Sequence, residues 1–568
     1  MPELDPASLQ ILVSRLAGVA TEMGAVLQRA GFSPNIKERA DFSSAVFDAR
    51  GAMLAQAEHL PVHLGSMPAS VAAAIEATDG GEALGPGEHI IVNDPFAGGT
   101  HLNDITLVTP VFADGTVVGW AANRAHHADV GGAAPGSIPA DATEIYEEGL
   151  RLPPVRLTDE VRAILLANSR TPVERSGDLD AQIGANVVGA ARLAELADQP
   201  WAEVLAYGER RMRAALAALP DGRWEFADVV DSFGPAPDQQ HATTIRLALT
   251  IEGDTVTFDF TGTDPQRRGN VNTVEAVTVS AVVFALRTIV APTLPANAGT
   301  IRPVRVIAAP GTLVNALPPV AVGAGNVEVS QRVADVCLGA LAQISPGEVG
   351  AASQGTMNNV LIGGVGRNAP VDPGVGGSAG VVVEEPWVYY ETVAGGQGGR
   401  PFTPGMSGVH TAMTNTSQAA TGQLGPGTPG MSGIHSNMTN TRNTPIEALE
   451  RAFPMRVLRQ RLRRGSGGAG WSAGGEGIER DLQVLVDATV SLITERRVSQ
   501  PWGLAGGEPG AVGENWLVPG GDESRAERLP DKCTIQLKAG DVLRMLTPGG
   551  GGWGTPPDVQ QDRTAGRS

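Results

Sequence analysis

HLNDITLVTPVFADGTVVGWAANRAHH, residues 101–127, is the stretch on which the reading of this chain turns. Two apolar runs, ITLVTPVF and TVVGWAANRAH, flank Ala113-Asp114-Gly115, a turn signal, so the segment is expected to fold as an antiparallel hairpin. Its weak alternation of polar and apolar residues points to burial on both faces. A turn near Asp114 pairs residues whose numbers sum to about 229, which sets Asp104 opposite Ala125 and beside His126. His101 lies three residues before Asp104. Two imidazoles and a carboxylate near one point suit a divalent transition metal with positions left open for substrate or water. A register uncertain by one residue leaves open whether the three side chains share a face. The competing reading is that these histidines cap loops or bond backbone carbonyls.

Outward from the hairpin, histidine remains concentrated. Six of the nine histidines (His59, His63, His89, His101, His126 and His127) fall between residues 59 and 127. His59 and His63 are four apart, but Pro61 between them argues against one continuous helix, so they read as loop or pocket-wall residues. His127 and Asp129 are candidates for orienting the ligands from behind. Asp41 and Glu38, in KERADFS, open an earlier hairpin and can supply another carboxylate or simply occupy a solvated turn.

Asp5-Pro6 is an N-cap and first-turn pair, and Leu9, Leu12, Leu16, Val19, Met23 and Val26 follow at helical spacing until Gly31. FSSAVFD and AMLAQA read as a hairpin about Ala49-Arg50-Gly51, followed by a helix near 67–78 and the strand HIIVN. Residues 177–217 read as helical, IRLALTIEGDTVTFDFTG as a hairpin turning at Gly253-Asp254, and 327–343 as a helix. The expected fold class is α+β, a large multi-layer globular chain. It divides into a hairpin-rich N-terminal metal-binding region (1–225), a β-rich middle region (226–320), a glycine-rich mixed C-terminal region (321–555) and a disordered tail (556–568).

Composition narrows the function classes. The formal charge of -19 repels polyphosphate backbones, and the one basic run, MRVLRQRLRR at 455–464, reads as a solvated helix, so no nucleic-acid partner is expected. No membrane partner is expected either: the start MPELDPASLQ lacks an export signal, and no apolar run approaches the roughly 20 residues needed to cross a bilayer. The expected compartment is the cytoplasm. Cys337 and Cys533 are too few for a disulfide framework and read as free thiols with packing roles. With Lys37, Lys532 and Lys538 the only lysines, a Schiff-base or P-loop lysine is not expected. GSGGAGWSAGGEG at 465–477 and TPGGGGWG at 547–554 lack the GK[ST] ending of a phosphate cradle, and glycine here is read as serving tight turns and close backbone approach. PGMSGVHTAMTNT at 404–416 recurs as PGMSGIHSNMTNT at 429–441, a local duplication too isolated for a solenoid.

Several blocks also resemble a known family in its own order. DFSSAVFDARG, AEHLPVHLGSM, NDPFAGGTHLNDITLVTPVF, AHHADVGG and EIYEEGLRLPPVRL resemble the N-terminal signatures of hydantoinase B/oxoprolinase proteins. DFTGTDPQ, GAGNVEVSQRVADV, ASQGTMNN, YYETVAGGQGGR, HSNMTNTRNTPIEALE, RRGSGGAG and PWGLAGGEPG continue the likeness over nearly the whole chain. The resemblance implies a B-type subunit that works with an A-type partner of the actin-like ATPase class, which binds the ATP. It implies hydrolysis of a hydantoin, 5-oxoproline or another lactam, or, alternatively, carboxylation of a ketone of the acetone or acetophenone type; a non-catalytic scaffold for the partner is a third possibility. It also implies a divalent metal (Mn, Zn or Fe) held by His101, Asp104 and His126, with Asp41 as an additional ligand, and a small carbonyl substrate. The preceding extra copy at 404–416 is a departure from the family pattern.

Overall fold

A computed structural model describes residues 4–57, 60–81, 84–290, 294–366, 385–401 and 429–556. The first copy of the duplicated segment, His59 and the tail beyond 556 therefore lie outside the described residues. The opening helix, α1 (Pro6–Ala30), begins where the Asp5 carboxylate accepts the Ala7 and Ser8 N–H groups. By length and composition α1 could cross a membrane, yet it buries Leu9, Leu12, Leu16 and Met23 on one face, as its periodicity predicts.

The first sheet is antiparallel throughout. It contains β1 (Phe42–Asp48), β2 (Met53–Ala57), β3 (Ile90–Val92), β4 (Asp104–Ala113), β5 (Thr116–His126) and β6 (Val155–Arg156), in the order β2-β1-β5-β4-β3-β6. Both faces are covered. Val46, Leu54, Val111 and Ala121 pack with α1 and with the C-terminal end of α5 (Pro172–Ala194). Ala45, Phe47, Trp120 and Ala122 pack on the other face with α3 (Ser66–Ala77). That two-sided burial is the reason the hairpin alternates so weakly.

A second sheet, β7 (Gly222–Val230), β8 (Thr243–Glu252), β9 (Thr255–Asp259) and β10 (Val304–Ile307), carries the expected hairpin across Gly253-Asp254. A π-turn at Gly325–Val329 leads into α8 (Ser330–Ile344), which packs on β7 and β8. Two further sheets stack face to face through Val360, Trp387, Val490, Leu482, Val484 and Met545. One contains β11 (Asn359–Gly366), β12 (Glu385–Thr392), β15 (Ala488–Ile493) and β18 (Lys532–Leu537); the other contains β13 (Met455–Arg463), β14 (Gly477–Val484), β16 (Glu514–Val518), β17 (Glu527–Leu529) and β19 (Val542–Leu546). The fold is α+β, with mixed helix and strand content over several sheets. Both cysteines are free and buried.

MRVLRQRLRR is not a helix: it forms β13, paired antiparallel with β14. Its arginines find carboxylates across the sheet, Arg461 reaching Glu479 at 2.6 Å and Arg463 reaching Glu514 at 2.8 Å. Cross-strand pairing of this kind outweighs the helix preference of arginine and leucine.

The glycine tracts serve close backbone approach. Gly468 donates to Gly550 O, Gly550 to Gly475 O, Gly475 to Gln397 O and Gly399 to Gly551 O, all at 2.7–2.9 Å, so segments far apart in sequence run side by side without side chains between them. A Cβ on Gly550 would sit 2.1 Å from Gln397 O, and one on Gly474 would sit 1.9 Å from Gly550 O. Because these contacts are backbone on both sides, Gly550→Ala is expected to destabilise the chain by about 3 kcal/mol or more. Gly18→Ala, on an exposed helical face with nothing within 4 Å, should instead stabilise it by roughly 1 kcal/mol. Urea midpoints of the two variants check this; equal midpoints would refute the backbone-packing account.

Candidate metal centre

The ladder between β4 and β5 starts at the turn with Ala113 opposite Thr116 and Phe112 opposite Val117, pairs that sum to 229. A bulge between Val111 and Phe112 then leaves Val118 without a partner, and from Val111–Gly119 onward the sum is 230. Asp104 therefore faces His126 itself, not Ala125. Directly opposed residues share a face of the sheet and a one-residue slip reverses it, so the bulge brings the two side chains together. His101 reaches the same point from the loop that precedes β4.

The three ligand atoms form a tight triangle. His101 Nε2 and His126 Nδ1 lie 3.0 and 3.1 Å from Asp104 Oδ1 and 3.1 Å from each other. All three residues are buried. The other carboxylate oxygen, Oδ2, accepts from Thr100 Oγ1 at 2.5 Å and lies 3.4 Å from both Asn326 Nδ2 and His63 Nε2. The Tyr390 ring stacks on His126 with centroids 4.4 Å apart, which sets the imidazole plane. Burial tends to raise the Asp104 carboxyl pKa, but the charge of His101 and hydrogen bonds from His101, His126 and His63 outweigh it and hold the carboxyl well below its usual value. Burial would lower His101, yet Asp104 raises it overall, while burial prevails at His126 and His63 and lowers both.

Two imidazole nitrogens directed at each other and at one carboxylate oxygen fit a shared cation. Ligand atoms about 2.1 Å from one ion and at right angles around it would be about 3.0 Å apart, the spacing seen here. His63, whose Nε2 lies 3.4 Å from Asp104 Oδ2, adds a third imidazole to the same cavity, and His126 Nε2 is buried without a hydrogen-bond partner.

Asp41 lines this cavity and is buried, so the solvated-turn alternative is set aside. Its carbonyl accepts from the His126 N–H at 3.0 Å, and its carboxylate lies 3.6 Å from the Arg39 guanidinium. Burial pushes the Asp41 carboxyl upward. Its carboxylate lies outside the tight triangle formed by the other three residues. Glu38 does not reach the cavity lining.

His63 is a pocket-wall residue, with Nδ1 2.9 Å from Ser43 Oγ. His127 and Asp129 do not orient the triad. His127 projects to the opposite side of the sheet and bonds Gln182 of α5 at 2.9 Å, while Asp129 pairs with Arg170 at 2.9 Å. His89 bonds Thr109 at 2.7 Å and is structural. One positioning residue was not singled out from sequence: buried Arg124, two positions before His126, ties Thr106, Ser66 and Ser70 together behind the site. Asn326, Met357, Tyr390, Thr392, Thr439 and Thr441 complete the cavity from segments 200 or more residues beyond His126. Their only sequence signal was membership of the blocks GAGNVEVS, ASQGTMNN, YYET and HSNMTNT.

The family model described as Hydantoinase B/oxoprolinase matches residues 5–424 and 418–556. The chain is 35% identical to 5-oxoprolinase 1 of Arabidopsis thaliana over 97% of its own length, and spans 42% of that longer protein. Its fold matches the crystal structure of the ATP-dependent caprolactamase from Pseudomonas jessenii with a TM-score of 0.82 and 26% identity, covering 98% of this chain and 93% of that one. An acetone carboxylase shares the fold with a TM-score of 0.81 and 18% identity, covering 98% of this chain and 77% of that one. The chain belongs to the hydantoinase B/oxoprolinase family.

Proposed function

We propose that this chain is the metal-carrying catalytic B-type subunit of an ATP-dependent cyclic-amide hydrolase acting on a hydantoin, 5-oxoproline or another lactam. The observation that carries the proposal is the convergence of His101, Asp104 and His126 on one buried point in a chain that shares its fold with an ATP-dependent caprolactamase. An A-type partner of the actin-like ATPase class would supply the ATP chemistry. That division is supported by the second glycine tract, in which the N–H groups of Gly549, Gly550, Gly551, Gly552 and Gly554 each donate to a backbone carbonyl. The compartment this reading requires is the cytoplasm, where ATP is available.

The chemistry explains the need for ATP. Amide resonance deactivates an unstrained lactam carbonyl, and transfer of a phosphoryl group to its oxygen makes the carbon far more electrophilic. Water can then add to that carbon and the ring C–N bond opens, the nitrogen leaving as an amine that takes a proton; a second water cleaves the resulting acyl phosphate to the carboxylate and inorganic phosphate. The residues that would hold a divalent transition ion are His101, Asp104 and His126, with Asp41 as an additional ligand. Bound there, such an ion would supply Lewis acidity toward a carbonyl oxygen or a water molecule. The surrounding residues hold the ligands in place: Thr100 engages the far oxygen of Asp104 and Tyr390 fixes the plane of His126.

Asp104→Ala and His126→Ala are expected to purify with less than about a tenth of the wild-type metal and to lose at least ~100-fold of the coupled turnover. His241→Ala, at an exposed position outside the cavity, should keep both. Metal analysis and assays on the reconstituted complex check this, and triad variants with stoichiometric metal and normal turnover would refute the assignment.

The isolated chain is expected not to hydrolyse ATP, whereas its complex with an A-type chain should do so when given a hydantoin, 5-oxoproline or lactam. Light scattering on co-expressed chains, followed by an ATPase assay against that panel, tests both points. Robust ATPase from the pure chain would contradict the division of labour, and turnover of only a ketone with bicarbonate would replace hydrolysis by carboxylation.

A further inference from the structure

Another part of the cavity wall has a chemistry of its own. Thr392, at the end of β12, and Thr439 and Thr441, in the second copy of the duplicated segment, are buried and line the same cavity as the triad. Their hydroxyls are linked: Thr392 Oγ1 lies 2.7 Å from Thr441 Oγ1, which lies 3.3 Å from Thr439 Oγ1. At the far end of the chain, the fully buried Arg39 donates from Nη2 to Thr392 Oγ1 at 3.1 Å. Its Nη1 is held by Tyr390 O at 2.8 Å, so the guanidinium is fixed behind the wall.

Counting protons gives the chain a direction. Three hydroxyls carry three protons, and the two threonine–threonine contacts use two of them. A guanidinium can only donate, so it makes Thr392 a stronger donor, and the polarisation runs through Thr441 toward Thr439. The order this polarisation favours, Thr392 to Thr441 to Thr439, leaves the Thr439 hydroxyl able to donate into the cavity under the influence of a cation that does not itself line it.

We propose that Thr439, polarised through Thr441 and Thr392 by Arg39, is the donor to an anionic phosphoryl oxygen of the ATP-activated substrate. The inference rests on the proposed cyclic-amide reading, in which that phosphoryl group is the permanently charged part of the reacting centre. Thr439 is then a catalytic residue, while Thr441, Thr392 and Arg39 are positioning residues. Neutral donors suit this place, because Arg39 already faces the Asp41 carboxylate at 3.6 Å and a second free cation would compete with a metal ion for that ligand.

The test uses inorganic phosphate as the probe and the manganese-loaded chain as the receptor, by titration calorimetry, with wild type, Thr439→Val and Thr439→Ser. Valine keeps the shape and removes the hydroxyl; serine restores it. Thr439→Val should weaken phosphate binding about tenfold with metal content unchanged. In the reconstituted complex it should lower kcat roughly 100-fold with little change in KM, and Thr439→Ser should recover most of both losses. Wild type that binds no phosphate, a valine variant that binds it normally, loss of metal in that variant, or equal impairment by valine and serine would each overturn the inference. Failure of the complex to hydrolyse any cyclic amide would sink the functional reading instead, and the phosphate titration would still decide the role of Thr439.

Discussion

One unpaired residue, Val118, sets the geometry on which the site depends. The turn at Asp114 establishes a register that would put Asp104 opposite Ala125 and His126 on the other face of the sheet. The bulge shifts that register by one before the strands reach their far ends, so the carboxylate and the imidazole meet. Neighbouring elements then hold the pair in place. β1 runs alongside β5 with Phe42 opposite Ala125, which places Asp41 next to His126. Arg124, on the same strand, anchors the residues behind the site through three hydroxyl groups.

Concentrating this many ionisable groups away from water is costly unless the charges compensate one another. Asp104 raises His101 and His101 holds Asp104 down, while burial lowers His126 and His63, so the attraction between His101 and Asp104 offsets part of the cost of burying them. A cation at the same point would take the His101 and His126 nitrogens and the Asp104 oxygen as ligands. Function and stability are therefore in tension here, as expected for a site kept for its chemistry.

The glycine-rich half contributes the other side of the cavity. By letting backbones lie against one another, its tracts bring β12 and the 435–441 segment to the first sheet, where Arg39 receives them through Tyr390 O and Thr392 Oγ1. Sequence reading identified the hairpins, the long helices and the purpose of the glycines, because periodicity and turn chemistry are local. It also brought His101, Asp104 and His126 near one another. It missed the register shift, since nothing about a valine among valines marks it as a bulge. It misassigned β13, where carboxylates on other strands decide the conformation, and it did not single out Tyr390 or the threonines, which reach the cavity only through long-range packing.

The account is tested most directly by X-ray absorption at the metal edge of the manganese- or zinc-loaded chain. It predicts a first shell of nitrogen and oxygen only, with the outer-shell scattering of two imidazoles. A sulfur contribution, or the absence of imidazole scattering, would contradict it.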